Sequence, residues 1–168
     1  MAIAPLSAPA AAGLEGHYAG IVSRTGAFLL DLAFIALLFS LGGVVLEYLF
    51  TTVMGHPMQL RDAALASNIA LAVWAFLYLA YPQSVSGRTL GMAMVGLRAV
   101  RADGSDLKVR NAVVRTLFLP LSFVLFGLGF ALIALRADRR ALHDLFGGSA
   151  VVYAWDARAA RMRFLARR

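Results

Sequence analysis

Three long runs of apolar residues dominate the pattern of this chain, at residues 21–46, 63–81 and 116–135. A helix of about 20 mostly apolar residues is long enough to cross a bilayer. The first two runs therefore predict transmembrane helices. We expect the second helix to end at Pro82, because proline cannot donate the backbone hydrogen bond that continues a helix.

The third run permits two arrangements. Residues 116–135 are long enough for a full span, but the run also contains Pro120, Gly127 and Gly129. These residues would let the run break into a re-entrant hairpin that returns to the side from which it entered. The apolar pattern alone leaves both arrangements open.

Two short stretches predict a small β element outside the apolar runs. Apolar residues alternate with others over residues 95–100 (VGLRAV), and residues 149–153 (SAVVY) are β-like in composition. Strands must lie in the same compartment to pair. Pairing of these two would therefore favour the hairpin or a similar returning path for residues 116–135.

The connection between the second and third runs is polar and basic. A helix beginning at Leu107 would place Lys108, Asn111 and Arg115 on one face, which is typical of a basic helix on a membrane surface. The segment SGRTLG, residues 86–91, has neither Walker nor dinucleotide-binding spacing. We interpret it as a turn lying on lipid headgroups.

Composition and charge agree with a membrane protein that contacts anionic lipid. The chain is 61% hydrophobic, carries a formal net charge of +7 and has no cysteine. Residues 82–115 hold six basic residues and residues 136–168 hold eight, whereas residues 50–62 hold one. Because positive charge marks the cytoplasmic side, the N-terminus and residues 82–115 are expected inside. The predicted lipid-headgroup contacts are Arg88, Arg98, Lys108, Arg110, Arg139 and Arg140.

Aromatic residues near the end of the second run suit a membrane surface. Tyr78 and Tyr81 carry a polar hydroxyl on an apolar ring, which is the combination found in the aromatic belts of membrane proteins. We therefore expect both side chains at interface depth. The net charge of +7 could also suit nucleic acid, but the long apolar runs favour anionic lipid headgroups as the partner, so no nucleic-acid binding is expected.

Arg24 and Asp31 are the most informative charges, because both lie in the first apolar run. A carboxylate at the centre of a transmembrane helix costs roughly 2.5–3.5 kcal/mol on insertion scales. Seven residues separate the two, so both lie on one helix face, about 10 Å apart along the axis. Asp31 therefore needs a partner beyond Arg24, for which Asn68, Arg115 or a water are candidates.

Three stretches together resemble the RDD family of small bacterial membrane proteins. They are YAGIVSRTGAFLLD (18–31), SGRTLGMAMVGLRAVRADG (86–104) and RRALHDLFGGSAVV (139–152). The family's arginine, helix aspartate and later aspartate correspond by position to Arg24, Asp31 and Asp144. The resemblance implies an integral inner-membrane protein without an agreed reaction, and the His143–Asp144 pair is a small departure from its pattern.

The predicted fold class is an all-α membrane protein with two transmembrane helices, a third apolar helical element and a short cytoplasmic β element. Residues 1–17 are expected to form a flexible tail, residues 18–153 the membrane domain and residues 154–168 a basic C-terminal tail. The expected location is the bacterial cytoplasmic membrane, with several crossings.

Two functional hypotheses follow from the charged network of Arg24, Asp31 and Asp144. The first is a non-enzymatic structural or accessory membrane component, with the network stabilising helix packing. The alternative is cation- or proton-coupled transport by a homo-oligomer, with Asp31 and Asp144 as candidate ion-binding residues. Neither needs a cofactor or metal, and the expected partners are membrane lipids and either further copies of the chain or another membrane complex.

Overall fold

The computed structural model describes residues 18–56, 64–124 and 140–154. The predicted N-terminal tail, Arg139 and residues 155–168 of the predicted basic tail lie outside these ranges. The described elements, in chain order, are α1 (Ile21–Met54), α2 (Ala64–Ser86), α3 (Leu90–Val95), β1 (Leu97–Arg101), α4 (Val109–Val124), α5 (Leu142–Phe146) and β2 (Ser149–Tyr153).

Helix α1 contains the first apolar run and is longer than the run predicts. It continues eight residues beyond position 46, and its 34 residues span about 51 Å at the usual helical rise of about 1.5 Å per residue. Gly55 ends it in the left-handed region, at φ 75°, and donates its backbone N–H to the Thr51 carbonyl. Glycine adopts this conformation without steric cost, so the local sequence determines where α1 ends.

The interior of the protein lies against one face of the first half of α1. Its buried residues are Arg24, Ala27, Asp31 and Ile35, which recur at the three- and four-residue spacing of one helical face. Large apolar side chains in the second half are exposed, among them Leu41, Val44, Leu49 and Val53. Two of the four buried positions on this apolar helix are therefore charged.

Helix α2 passes through Pro82, so the prediction that the helix ends there is wrong. Proline removes one backbone donor, but serine hydroxyls after it bind carbonyls of the last turns. Ser84 donates to the Tyr81 carbonyl at 2.7 Å and Ser86 donates to the Pro82 carbonyl at 2.9 Å. The helix continues past the proline to Ser86.

Among the described residues, two helices are long and apolar enough to cross a membrane, judged by length and composition. They are Ile21–Met54 and Leu65–Ser86, with mean hydropathies of 2.4 and 1.5 over their most apolar windows. Residues 116–124 of the third apolar run belong to α4, which begins at Val109 and carries Pro120 inside it. Residues 125–135 of that run lie outside the described ranges.

The two predicted strands pair. Strand β1 lies antiparallel to β2, with Leu97 opposite Tyr153 and Arg101 opposite Ser149. The first strand starts two residues later than predicted because residues 90–95 form the short helix α3, which Gly96 ends at φ 74°. The hydrogen bonds between the strands place both on the same side of any bilayer that α1 and α2 cross.

Small residues bring α1 and α3 into direct contact near the strand pair. A Cβ added to Gly91 would collide with the Ala27 carbonyl oxygen and meet the Asp31 carboxylate. Around this contact lies an apolar core of Ala19, Ala27, Met92, Leu97, Ala99, Leu107, Ala112 and Val151. This packing fixes the backbone on which the charged residues are placed.

Candidate functional site

Arg24 and Asp144 form a buried ion pair between α1 and α5. The Arg24 Nη1 donates to Asp144 Oδ2 at 2.5 Å, and the side chains are 7% and 0% exposed. Arg24 also donates from Nε to the Ala19 carbonyl at 3.2 Å. The structure thus brings together two sequence-predicted residues that lie 120 positions apart.

Arg115 is a second cation on the same carboxylate, contributed by α4. Its Nε lies 3.2 Å from Asp144 Oδ1, close enough for an ion pair but without hydrogen-bond alignment. Within the described part of the chain, neither Nε nor Nη1 of Arg115 has a hydrogen-bond partner. The expectation that Arg115 lies on a membrane-surface helix is wrong, because its residue exposure is 7% and its charge faces Asp144.

The local electrostatics keep Asp144 ionised. Burial alone would raise the pKa of its carboxyl, but the guanidiniums of Arg115 and Arg24 hold that pKa well below its usual range. The carboxylate also accepts from the backbone N–H of Ala141 at 3.2 Å and from the Ser149 hydroxyl at 3.4 Å. Asp144 is therefore a fully buried anion held by two cations and two neutral donors.

Asp31 lies in a separate set of hydrogen bonds. It accepts from the Tyr78 hydroxyl at 3.0 Å, the Thr89 hydroxyl at 2.5 Å and the Gly91 backbone N–H at 2.8 Å. These donors come from α2 and from the start of α3, so one carboxylate joins three helices. Asn68, which we considered as a partner, is exposed instead.

Sequence reasoning missed the neutral donors around Asp31. We interpreted SGRTLG as a headgroup-facing turn, but Thr89 is 2% exposed and caps α3 by accepting from the Met92 backbone N–H at 3.2 Å. A threonine just before an apolar helical segment is a cap signal that could have indicated this role. Tyr78, expected in an aromatic belt, is buried at 8% exposure, whereas Tyr81 is 70% exposed.

His143 completes the buried cluster as a neutral residue. Its Nδ1 lies 2.9 Å from the Ser122 hydroxyl, and its Nε2 lies 3.7 Å from Asp144 Oδ1. Burial lowers the pKa of His143 to about 4, the nearby Asp144 charge opposes this, and Arg115 and Arg24 reinforce it. Although serine, histidine and aspartate meet here, the Ser122 side chain is completely buried, which does not suit a nucleophile that must reach substrate.

The residues expected at lipid headgroups divide into two groups. Arg88, Lys108 and Arg110 are exposed, and Arg98 is partly exposed beside Asp106, with its Nη2 3.0 Å from Oδ1. Arg140 is placed differently from the expectation, since it is 7% exposed and donates from Nε to the Ser149 carbonyl at 2.8 Å. Its guanidinium contacts protein carbonyls next to Asp144 rather than the surface.

A cavity of about 60 Å³ lies between the two carboxylate sites. Its polar and charged wall residues are Arg24, Asp31, Gln83, Thr89, Arg115 and His143, and apolar residues such as Ala27, Leu79 and Leu119 complete the wall. Among the described residues, no three histidine, aspartate or glutamate side chains are grouped so that they could hold a metal ion. The cavity is thus a small mixed space bordered by two guanidiniums and one carboxylate.

Two apolar helices of membrane-spanning length among the described residues, and a buried Arg24–Asp144–Arg115 cluster that joins α1, α4 and α5 next to a two-stranded sheet, define a small helical protein of membrane type. The RDD family model matches residues 18–148, which is most of the chain, and the chain belongs to the RDD family. The resemblance seen in the sequence is confirmed.

A relative from Bacillus subtilis (strain 168), named "Uncharacterized protein YckC", is 32% identical over 126 residues. That match covers 68% of this chain and 81% of the relative. No solved structure matches this chain.

Proposed function

We propose that this protein is an integral component of the bacterial cytoplasmic membrane with a structural or accessory role, and that its buried charges hold the helices together. The observation that carries the proposal is Asp144, which has no exposed side-chain surface and contacts a cation from α1 and a cation from α4. A carboxylate placed in this way joins three elements that are distant in sequence. Removing one partner of such a buried ion pair is strongly destabilising, because the other charge is left buried and unpaired.

The environment of Asp31 supports the same role. Among the described residues, three neutral groups donate to its carboxylate, and they come from α2, the residue before α3 and the first turn of α3. Such a carboxylate is already coordinated by neutral groups. Its contacts favour a clamp between helices over a group that must exchange ligands.

The strand pair and the charge distribution support a membrane orientation. Because β1 and β2 are hydrogen-bonded, the chain leaves β1 and reaches β2 on the same side of the membrane. The basic residues that precede α4 and follow α5 would then lie on one side, which the positive-inside tendency assigns to the cytoplasm. Exposed Arg88, Lys108 and Arg110 are proposed to contact anionic headgroups from that side.

The second half of α1 supports contacts with lipid and with further membrane helices. A Cβ built on Gly42 or Gly43 meets no atom within 4 Å, and the neighbouring apolar side chains are exposed. Small residues of this kind let a second helix approach closely in a bilayer. A homo-oligomer or a membrane-complex partner would pack here.

Asp31→Asn tests the proposed role directly. The amide NH₂ would face one or more of the hydroxyl and N–H donors that now surround the carboxylate, so we expect a loss of about 1–3 kcal/mol of stability. The measurement is the yield and thermal stability of monodisperse protein after detergent extraction. Asp106→Asn is the matched control, because Asp106 is 68% exposed and its ion pair with Arg98 is expected to contribute at most about 1 kcal/mol.

One observation favours the alternative of cation- or proton-coupled transport by a homo-oligomer, namely that Asp31 borders the cavity. Transport through Asp31 predicts that Asp31→Asn assembles normally but abolishes cation or proton flux in proteoliposomes under a pH gradient. A structural role predicts the loss of folded protein described above and no flux from the wild type. Normal assembly of the variant together with wild-type flux would replace the structural proposal with transport.

A further inference from the structure

Three buried polar atoms of residues that line the cavity lack a hydrogen-bond partner among the described residues. They are Nε and Nη1 of Arg115, on α4, and Oε1 of Gln83, on α2. Both residues are buried, with exposed fractions of 7% and 5%. A guanidinium only donates hydrogen bonds, whereas an amide oxygen only accepts them. A single kind of molecule that satisfies all three atoms must therefore both accept and donate.

Gln83 and Arg115 are complementary but do not pair directly. The Gln83 oxygen could accept from either arginine nitrogen, yet it accepts from neither. Buried polar atoms of this kind normally have a partner, which is often an ordered water. Because both residues line the same cavity, a molecule inside it that hydrogen-bonds to both would link α2 to α4.

The charges around the cavity favour an uncharged molecule. Two guanidiniums, those of Arg24 and Arg115, line it. Asp31 lines it as well, and Asp144 contacts both guanidiniums. Two cations and two carboxylates thus offset each other among the described residues. An ion of either sign would add a buried charge without a partner, which is costly in a protein interior.

We propose that the cavity binds ordered water, which accepts hydrogen bonds from Arg115 and donates to Gln83. The cavity volume is about 60 Å³. One water takes up about 30 Å³ in the liquid, so there is room for about two. A bridging water is nearly as favourable in enthalpy as a direct hydrogen bond. This water site goes beyond the structural role proposed above, in which protein groups alone join the helices.

The first test is nuclear Overhauser transfer from water to arginine side chains, measured on the ¹⁵N-labelled full chain in detergent micelles. Each Nε–H signal is assigned through bonds to its own backbone. We expect transfer from a bound water to the Arg115 Nε–H, with laboratory-frame and rotating-frame effects of opposite sign, which excludes proton exchange. Arg140 is the control, because it is equally buried and its Nε donates to the Ser149 carbonyl at 2.8 Å.

Gln83→Met tests whether the water bridges the two helices. Methionine has nearly the length of glutamine but no amide oxygen, so a water held by Gln83 loses one of its partners. We expect weaker water transfer at the Arg115 Nε–H and a lower unfolding temperature of the purified protein. Asn68→Met is the matched control, because it removes an exposed amide from the same helix and should change neither quantity.

The proposal is overturned if the wild-type Arg115 Nε–H shows no transfer from bound water. It is also overturned if Gln83→Met leaves that transfer undiminished, or unfolds at or above the wild-type temperature. The latter is expected when an apolar group replaces an unsatisfied buried oxygen. The structural proposal is tested separately by Asp31→Asn, so either proposal can fail without the other.

Discussion

At the scale of single residues, the two buried aspartates are held by different chemistry. Asp144 contacts two guanidiniums, whereas Asp31 accepts from two hydroxyls and one backbone N–H. The sequence indicated Arg24, Asp31 and Asp144 because charges are rare in apolar segments and because the family pattern contains them. The donors to Asp31 could not be predicted, since they lie 47 to 60 positions away and only the folded chain brings them close.

Stability should decrease in mild acid because of His143. Its folded-state pKa is about 4, below the ordinary value of 6.5, so the unfolded chain binds a proton more readily than the folded chain. The contribution of His143 is therefore fully present above about pH 6.5 and is lost as the pH falls toward 4. Thermal unfolding between pH 7.5 and 4.5 should show this decline.

His143→Gln is the comparison for that measurement, since glutamine retains hydrogen-bonding capacity but does not titrate. Its stability should vary less than that of the wild type over this pH interval. The Asp144 carboxyl adds a second loss only below its ordinary pKa of 3.8, because its folded-state pKa is lowered. Identical pH profiles for the wild type and His143→Gln would contradict the assignment of a buried, neutral histidine.

Among the helices and strands, local sequence patterns predicted the type of each element better than the residues at which it begins and ends. The two strands pair as expected because each has a β-like sequence, and Gly96 fixes the start of β1. The predicted end of α2 was wrong, because the loss of one backbone donor at Pro82 does not stop the helix, which continues to Ser86. The expectation that Arg115 lies on a membrane surface was wrong, because its burial beside Asp144 depends on an element about 30 residues away in the sequence.

Gly91→Ala should weaken the contact between α1 and α3. The added methyl group would collide with the Ala27 carbonyl and lie 2.9 Å from Asp31 Oδ1, so the helices must separate. We expect a loss of about 1–3 kcal/mol, as for other insertions into packed sites. Thermal unfolding in detergent measures it.

Gly42→Ala is the matched control, since the new methyl group meets no atom within 4 Å and alanine favours a helix over glycine. It should leave the unfolding temperature equal to or above that of the wild type. If Gly91→Ala is tolerated equally well, the close packing of α1 against α3 is not what positions Asp31.

At the scale of the whole molecule, buried polar contacts join elements that apolar packing alone would leave loosely specified. Helices α1 and α2 expose large apolar side chains over much of their surfaces, and Trp74 donates to the Ile35 carbonyl where they meet. The Arg24–Asp144–Arg115 cluster lies at the other end of this packing, next to the strand pair. The membrane class and the family could be predicted from composition and motif, but the separation of Asp31 from the Arg24–Asp144 pair could not, because it depends on how α3 packs against α1.

A double-mutant cycle on Arg24→Gln and Asp144→Asn tests whether the buried ion pair joins the helices, and it is read as free energies of unfolding of the detergent-solubilised protein. Each single change leaves a buried charge without its main partner, at a cost of about 3–5 kcal/mol. The free energy of unfolding of the double variant should be close to that of the less stable single variant. The reason is that the second change removes the charge that the first change left unpaired. Additive losses in the double variant would contradict the account, since they would mean that Arg24 and Asp144 stabilise the protein independently.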